Sequence, residues 1–360
     1  MNKKIYTVIA GTGSYIPGRI IANDFFMDAV FYDPATSKRF EIPNPEIIRK
    51  FFEITNIEER RYAESDQNTS DLATFAARDA IETSGIDPET FEFILVAHNF
   101  GDVVQGILVP DQLPSLANRV KTKLGIQNPA IMTNDVTCGC PGWTTAMIIA
   151  DAFIKSGTFK RGLVVGADVL SRVADPYDRD RMIFSDGAGA VIVEAVESEV
   201  PVGILSHASR SDFDHGMLFM GCSVNPDNPK AYKYLRMLGS KVYAYALSTV
   251  PGVVKESLDK AGLSLGDIQK VLIHQANEKM DEAILSRVFR LYGIRDYDKN
   301  IMPMTIQRFG NSSTATVPTL LDLILKDKME DHQISKGDTI ILTSVGAGMT
   351  INSIVYKMPG

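Results

Sequence analysis

Cys140 is the side chain of this sequence best placed for nucleophilic chemistry. It lies in segment 134–143, where a strand pattern meets a turn of small residues and a long apolar helix pattern follows. The N-terminus of a helix is the positive end of its dipole and favours the thiolate, which is the nucleophilic form of cysteine. Two polar residues much further along the chain, His274 and Asn311, are candidate partners. Together the three residues predict an enzyme that transfers acyl groups.

Acyl transfer through a cysteine also requires donors for the negative charge that develops on oxygen. The backbone N–H groups of Cys140 and of the Gly-Ala-Gly turn at 346–348 are predicted to form an oxyanion hole. His274 and Asn311 offer two neutral hydrogen-bond donors toward a thioester carbonyl. Pro141 suits the first turn of the helix, where its missing N–H costs no hydrogen bond.

The same residue types also have other interpretations. Buried cysteines are most often inert parts of a core, and Cys138 and Cys222 are interpreted in this way. The Cys-Gly-Cys at 138–140 has no second Cys or His pair at ligand spacing, so neither a metal nor a cofactor is predicted. Papain-like hydrolases combine Cys, His and Asn too, but there His removes the thiol proton and Asn orients His. A cysteine-dependent thioester hydrolase is therefore the alternative from a different class.

The pattern along the chain is that of an α/β protein. The 360 residues, 45% of them hydrophobic, exceed the length of an average domain. Val- and Ile-rich runs alternate with helical patterns. The predicted strands are 6–10, 93–98, 162–167, 190–194, 271–274, 339–343 and 351–356, and the predicted helices are 70–84, 114–124, 142–156, 241–261, 279–291 and 316–328. The Gly-Thr-Gly segment 11–16 lacks the third glycine of a dinucleotide loop and is interpreted as a tight turn.

Two pairs of segments predict that the chain is a duplication. The paired segments are 85–97 with 262–274, and 185–193 with 344–351. Because both similarities occur in the same order, we expect two related halves, 1–198 and 199–360. On that overlay Cys140 and Asn311 occupy corresponding places before a helix, and His274 ends a strand. Strand ends and helix starts are where open α/β architectures place their active sites.

Charge and cysteine content exclude several classes of protein. A formal charge of −7 gives no general attraction to nucleic acid or to anionic membranes. No run approaches the ~18 apolar residues of a membrane span. An odd number of cysteines without a signal-peptide pattern suits a reducing compartment. We therefore expect a cytoplasmic protein that binds neither nucleic acid nor membranes.

Segments spread over nearly the whole chain resemble the β-ketoacyl-acyl-carrier-protein synthase III family of thiolase-fold condensing enzymes. They are 11–17, 135–142, 163–170, 175–179, 184–190, 274–277, 310–313 and 346–348. The most specific are His-Gln-Ala-Asn at 274–277 and Gly-Asn-Ser-Ser at 310–313, downstream of the cysteine motif. The resemblance implies a five-layer α-β-α-β-α fold and a homodimer.

The resemblance also implies a catalytic role for each residue of the site. Cys140, and not Cys138, is the nucleophile that becomes acylated. His274 and Asn311 bind the carbonyl of the extender thioester and stabilise the enolate that forms on decarboxylation. The backbone N–H groups of Cys140 and Ala347 match the oxyanion hole.

A second set of residues matches positions that bind substrates and partners. Asn277 matches a contact to the phosphopantetheine arm, Arg179 a position near the nucleotide of coenzyme A, and Ser240 a position at the tunnel. Lys279 matches a basic position that faces the acyl carrier protein, with an ordinary solvated charge as the alternative. Leu113 matches the residue that reaches into the partner's acyl tunnel.

The chain departs from the family where coenzyme A is held. Lys50 and Ile54 stand at the two positions where priming members anchor coenzyme A between Trp and Arg. Because the aromatic stacking partner is missing, we expect a carrier-bound acyl donor.

Two insertions, 23–45 and 101–112, lie where the shape of the acyl chain is recognised, so an altered acyl group is expected. Asp102 and Asp111 in the second insertion could bring a carboxylate to the site and permit condensation without decarboxylation. Acidic residues in a solvated loop are the favoured interpretation.

The predicted reaction is a ping-pong acyl transfer to Cys140, followed by Claisen-type C–C bond formation with a carrier-bound malonyl or β-ketoacyl thioester. A specialised lipid or polyketide pathway is expected. Two alternatives remain within the class: initiation of fatty-acid synthesis from acetyl-CoA, and the coupling of two acyl chains as in dialkylresorcinol formation.

Overall fold

The computed structural model describes residues 3–213 and 216–360. Within these residues the helices are α1 (Asn44–Thr55), α2 (Thr69–Ser84), α3 (Leu116–Lys123), α4 (Gly142–Lys155), α5 (Gly239–Ala261), α6 (Glu278–Leu291), α7 (Ile306–Phe309) and α8 (Thr316–Leu325). The strands are β1 (Lys4–Tyr15), β2 (Arg19–Ala22), β3 (Glu59–Tyr62), β4 (Phe93–His98), β5 (Met132–Thr137), β6 (Arg161–Val169), β7 (Asp186–Ser198), β8 (Gly203–Ser211), β9 (Leu218–Gly221), β10 (Tyr234–Met237), β11 (Lys270–Ile273), β12 (Thr339–Gly346) and β13 (Thr350–Lys357).

Two mixed sheets organise these elements. The first has the order β1-β7-β6-β4-β5, and its β4 pairs in parallel with both β5 and β6. The second has the order β11-β12-β13-β8, with β11 and β12 parallel. Every residue of β4 is buried, which is typical of a strand covered by helices on both faces.

The helices complete five layers around the two sheets. Leu72 of α2 belongs to the core on the outer face of the first sheet. Trp143 of α4 and Leu320 of α8 share a core with residues of both sheets, so these two helices lie between the sheets. Val250 of α5 and Leu285 of α6 cover the other face of the second sheet. The predicted α-β-α-β-α architecture is confirmed.

Each predicted strand and helix overlaps an observed one, but the interpretation of segment 11–16 as a tight turn is wrong. This segment continues β1, which pairs with β7 as far as Tyr15. Its glycines permit close packing of α2, since a Cβ at Gly13 would lie 2.2 Å from the Ala76 carbonyl oxygen. The strands of the first sheet all precede residue 199, although the duplication of two halves stays a prediction.

The predicted insertion 23–45 leads into α1, an element that the sequence analysis did not anticipate. Phe26 and Phe31 are buried in a core that also contains Ile47 and Phe51 of α1. Most of the aromatic side chains of this insertion therefore serve packing, while Phe25 remains exposed. In residues 3–213 and 216–360, no helix combines the length and hydropathy that a membrane span requires.

Candidate active site

Cys140 lies in the short connection between β5 and α4. Gly139, just before it, has a φ of +40°, a conformation that residues with a side chain rarely adopt. The turn places Cys140 immediately before the N-terminus of α4, as the sequence predicts. Cys140 is half-buried.

The turn at Cys140 packs backbone to backbone against the end of β12. A Cβ at Gly139 would lie 2.8 Å from the Ala347 nitrogen, and a Cβ at Gly346 would lie 2.7 Å from the Cys140 nitrogen. Only glycines permit so close an approach. The backbone nitrogens of Cys140 and Ala347 are thereby brought to neighbouring places, as an oxyanion hole formed by both requires.

His274 is fixed by backbone pairing at the end of β11, and Asn311 is fixed by backbone pairing with the segment just before β7. The His274 nitrogen donates to the Thr343 carbonyl at 2.9 Å, which extends the pairing of β11 with β12. The Asn311 nitrogen donates to the Ile183 carbonyl at 2.9 Å, and its carbonyl accepts from the Ser185 nitrogen at 2.8 Å. Both side chains belong to buried residues.

Ser313 joins the three predicted catalytic residues. Its hydroxyl donates to the Cys140 sulfur at 3.4 Å, and its backbone nitrogen donates to Asn311 Oδ1 at 2.8 Å. Its backbone also forms a hydrogen bond with the His274 ring. The sequence analysis gave Ser313 no role, although it lies inside the 310–313 motif.

Burial shifts the pKa values of His274 and Cys140 in opposite directions. It lowers the pKa of His274 to about 4, so the imidazole is neutral at neutral pH, as a neutral donor must be. It raises the pKa of the Cys140 thiol to about 12, against the smaller opposing effect of the Ser313 hydrogen bond. The prediction that the helix leaves Cys140 as a favoured thiolate is therefore wrong for the free enzyme. The thiol must lose its proton when substrate is attacked.

A cavity of about 590 Å³ lies beside this constellation. Arg179, Ser240 and Asn277, the residues expected to meet the pantetheine arm or coenzyme A, all line it. Its wall includes Ile183, whose carbonyl holds the Asn311 backbone, and Ala276, two residues after His274. The cavity therefore reaches the neighbourhood of the catalytic residues.

The cavity wall is largely apolar, and both positions of the missing coenzyme A anchor belong to it. Lys50 forms an ion pair with Glu46 one turn away on α1, while the Ile54 residue is 60% exposed. Asn277 has a second role, because its side-chain oxygen accepts from the Met280 nitrogen and caps α6.

Two predicted contact residues lie outside this cavity. Lys279 is exposed at the start of α6, and its ammonium group contacts the backbone carbonyl of Glu53 at the end of α1. Leu113 is 87% exposed.

The acidic loop 101–112 differs from both interpretations of it. Asp102 is buried, accepts from the backbone and hydroxyl of Ser70, and pairs with Arg119 at 2.8 Å. Asp111 pairs with the same guanidinium at 2.6 Å, and the backbones of the two aspartates form a β-bridge. The interpretation of a merely solvated loop is wrong for Asp102. Because Arg119 engages both carboxylates, nothing in this arrangement makes either of them a base at Cys140.

Comparisons with known proteins place the chain in a family. The family model 3-oxoacyl-[acyl-carrier-protein] synthase III matches residues 134–212, and its C-terminal counterpart matches 258–358. The chain is 34% identical to β-ketoacyl-[acyl-carrier-protein] synthase III 1 of Vibrio vulnificus over 98% of this chain and 100% of that protein. The chain belongs to the β-ketoacyl-[acyl-carrier-protein] synthase III family. It is an acyltransferase of the condensing-enzyme class.

Solved structures of other synthase III enzymes share the fold. The crystal structure of 3-oxoacyl-[acyl-carrier-protein] synthase III from Aquifex aeolicus matches with a TM-score of 0.78 and 29% identity, covering 98% of this chain and 99% of that one. The priming β-ketosynthase of the R1128 polyketide biosynthetic pathway matches with a TM-score of 0.79 and 26% identity, covering 100% of this chain and 98% of that one. The five layers described above are therefore those of the thiolase-like synthase III fold.

Proposed function

We propose that this synthase III loads an acyl group onto Cys140 and joins it to a carrier-bound malonyl or β-ketoacyl thioester in a specialised lipid or polyketide pathway. The observation that carries this proposal is the grouping of Cys140, His274 and Asn311 around Ser313, with His274 neutral. A neutral imidazole and a carboxamide beside a cysteine suit a thioester carbonyl better than they suit a hydrolytic relay.

The first half-reaction is a transfer between two thioesters. Cys140 sulfur forms a bond to the acyl carbon, the bond from that carbon to the donor sulfur breaks, and the donor thiol leaves with the proton that Cys140 loses. The backbone N–H groups of Cys140 and Ala347 stabilise the oxyanion between these events.

The second half-reaction forms the C–C bond. His274 and Asn311 donate to the carbonyl oxygen of the incoming thioester, which stabilises the enolate. This enolate forms when a malonyl group loses carbon dioxide, or when a β-ketoacyl group loses an α-proton that is balanced by the proton taken up at the departing sulfur. The enolate carbon attacks the acyl carbon on Cys140, and the sulfur of Cys140 leaves and is protonated.

The cavity supports a carrier-bound donor over coenzyme A. Burial, and then the carboxylate of Asp178, raise the pKa of Asp180 in the cavity wall to about 6, so Asp180 is still mainly anionic at neutral pH. Asp180 lies 4.0 Å from the Arg179 guanidinium, so its negative charge offsets the cation that would meet the phosphates of a nucleotide. Arg179 is partly engaged as well, with its guanidinium 5.1 Å from the centre of the Phe40 ring. The names of the related enzymes describe a β-ketoacyl group on an acyl carrier protein, in agreement with a carrier-bound extender.

Exposed side chains support the proposed partners. Lys279 offers a cation near the cavity for an acidic carrier protein. The loop that ends at Leu113 exposes Val104, Ile107 and Val109 as well, with 48%, 54% and 68% of these residues accessible. Apolar groups gathered on one loop are typical of an interface, which supports a homodimer in which Leu113 reaches the partner's tunnel.

Intact-protein mass spectrometry tests the loading step. The enzyme is incubated with the same acyl group on a carrier protein and on coenzyme A, and adducts are compared between the unaltered protein and a Cys140→Ser variant. We expect an adduct on the unaltered protein only, formed faster from the carrier. The same adduct on Cys140→Ser would refute the nucleophile, and faster loading of acetyl groups from acetyl-CoA would favour initiation of fatty-acid synthesis.

Product analysis tests the second step. The acylated enzyme is supplied with malonyl or β-ketoacyl thioester, and the products are identified. A condensation product is expected, and the better extender distinguishes simple elongation from the coupling of two acyl chains. Release of free acid alone would favour the thioester hydrolase instead.

A further inference from the structure

The hydroxyl of Ser313 is held in one orientation beside the Cys140 sulfur. The residue is 2% exposed and has a φ of +56°, an uncommon backbone conformation for a serine. Its nitrogen is held by Asn311 Oδ1, so the loop geometry that positions Asn311 also positions the Ser313 side chain. The hydroxyl lies 3.4 Å from the Cys140 sulfur.

Asn99, which follows β4, restricts where the Ser313 proton can point. Its side-chain nitrogen donates one proton to Ser313 Oγ at 2.9 Å and the other to Asp168 Oδ2 at 2.7 Å. A serine hydroxyl has a single proton. Because Asn99 occupies an acceptor position of Ser313 Oγ, that single proton has two acceptors within reach, the Cys140 sulfur and the Asp168 carboxylate. A negative charge on the sulfur draws the proton toward Cys140.

The buried carboxylate of Asp168 orients the Asn99 amide. Asp168 also accepts from the Asn99 backbone nitrogen at 2.8 Å and from the Thr314 hydroxyl at 3.0 Å. Because a carboxylate only accepts hydrogen bonds, the Asn99 amide turns its NH₂ group toward Asp168, and not its oxygen. The chain of hydrogen bonds thus runs from Asp168 through Asn99 and Ser313 to the sulfur.

We propose that Ser313 is a catalytic residue whose hydroxyl donates to the Cys140 sulfur and stabilises the thiolate, and that Asn99 and Asp168 are the positioning residues that orient this hydroxyl. Ser313 is not the base that removes the thiol proton, because its neighbour Asn99 donates to it and cannot take a proton from it. The role in acyl loading rests on the proposed function, but the hydrogen bond to sulfur can be tested without any substrate.

The test is alkylation of Cys140 by iodoacetamide, followed at one mildly alkaline pH by mass spectrometry of peptides. Losing a hydrogen bond to a charged group raises the pKa of the thiol by about one to two units. The remaining thiolate is more nucleophilic, which offsets about half of that loss. Ser313→Ala is therefore expected to slow alkylation of Cys140 by about three- to tenfold. Cys222 in the same protein is the internal reference.

Three further variants separate this role from a structural one. Ser313→Gly suits the positive φ and also lacks the hydroxyl, so it is expected to slow alkylation of Cys140 by about three- to tenfold as well. It serves as the test if Ser313→Ala does not fold. Asn99→Leu is expected to slow alkylation in the same direction but to add nothing in a Ser313→Ala background. Ser312→Ala removes a neighbouring hydroxyl that approaches Thr316 at 3.4 Å, and it is expected to change nothing at Cys140.

Alkylation of Cys140 at the unaltered rate in folded Ser313→Ala and Ser313→Gly proteins would overturn the proposal. Additive effects of Ser313→Ala and Asn99→Leu would overturn the positioning role of Asn99. Slower alkylation in a protein that accepts no acyl group at Cys140 would support the hydrogen bond and refute the proposed function, so the two can fail separately. If the hydrogen bond and the proposed function are both correct, acyl loading in the Ser313 variants slows in parallel with alkylation.

Discussion

Cys140 and Cys222 lie in contrasting parts of the molecule. Cys140 is surrounded by residues from both sheets, and burial raises the pKa of its thiol to about 12. Cys222 follows β9 near the surface, where the Lys233 ammonium lies 3.0 Å from its sulfur and lowers its pKa. The more acidic thiol is thus the one with no acyl-transfer machinery around it. A thiolate that is stable in the free protein does not by itself identify the nucleophile, whereas donors arranged for the reacting groups do.

The largest expected effect separates the two cysteines by function. Cys140→Ser is expected to reduce acyl loading on the order of 10³-fold or more, because the nucleophile is replaced by a much weaker one. Cys222→Ser is expected to leave loading within about twofold of the unaltered rate. Loading is measured from the rate at which the acyl adduct appears in intact-protein mass spectra. Loss of acyl loading in Cys222→Ser would contradict the assignment of Cys140, and not Cys222, as the nucleophile.

Gly139→Ala tests whether the rigid turn is needed at Cys140. The added methyl group meets the Ala347 backbone at 2.8 Å and forces a left-handed φ on alanine. We expect a decrease in the free energy of unfolding of about 2–3 kcal/mol and a loss of acyl loading.

Gly125→Ala is the matched control for that substitution. Gly125 has a φ of +77° but no atom within 4 Å of the added Cβ, so only backbone strain is introduced. The free energy of unfolding is expected to decrease by about 1 kcal/mol, with acyl loading unchanged. Chemical denaturation of both variants gives the comparison, and equal losses would mean that the contact with Ala347 is unimportant.

The pH dependence of alkylation sharpens the contrast in pKa. Since the pKa of Cys140 is raised, its thiolate fraction grows about tenfold for each pH unit well into the alkaline range. The pKa of Cys222 is lowered, so its alkylation levels off at a lower pH. At neutral pH we expect Cys222 to react at least about tenfold faster than Cys140. A Cys140 that reacts as fast as Cys222 at neutral pH would show that the helix and Ser313 outweigh burial.

The smallest expected effect concerns the surface cysteine alone. Lys233→Met removes the ammonium group and keeps a side chain of similar length. Alkylation of Cys222 at neutral pH is expected to slow by about three- to tenfold, because the thiolate loses its nearby cation. The rate at Cys140 serves as the reference and is expected to stay the same, and a change there would indicate a wider disturbance of the structure.

Predictions from sequence were most accurate where the determining interactions are local. The strand Phe93–His98 was predicted with its observed ends, because an uninterrupted apolar run bounded by polar residues depends on neighbouring positions only. α1 was not predicted, since it lies beside an insertion whose buried face is defined by contacts with Phe26 and Phe31. Segment 11–16 was misinterpreted for a related reason. Its glycines permit close packing against α2 and do not mark a turn.

The sequence by itself determined many of the elements and the fold family, and it singled out Cys140, His274 and Asn311 as candidates, because these depend on periodicity and on motifs of consecutive residues. Only the tertiary structure decided the electrostatics of the site. Burial by distant segments makes His274 neutral and reverses the expected pKa shift of Cys140, and desolvation depends on atoms from the whole fold. The contact of Ser313 with Cys140, between residues 173 positions apart, likewise exists only once the chain has folded.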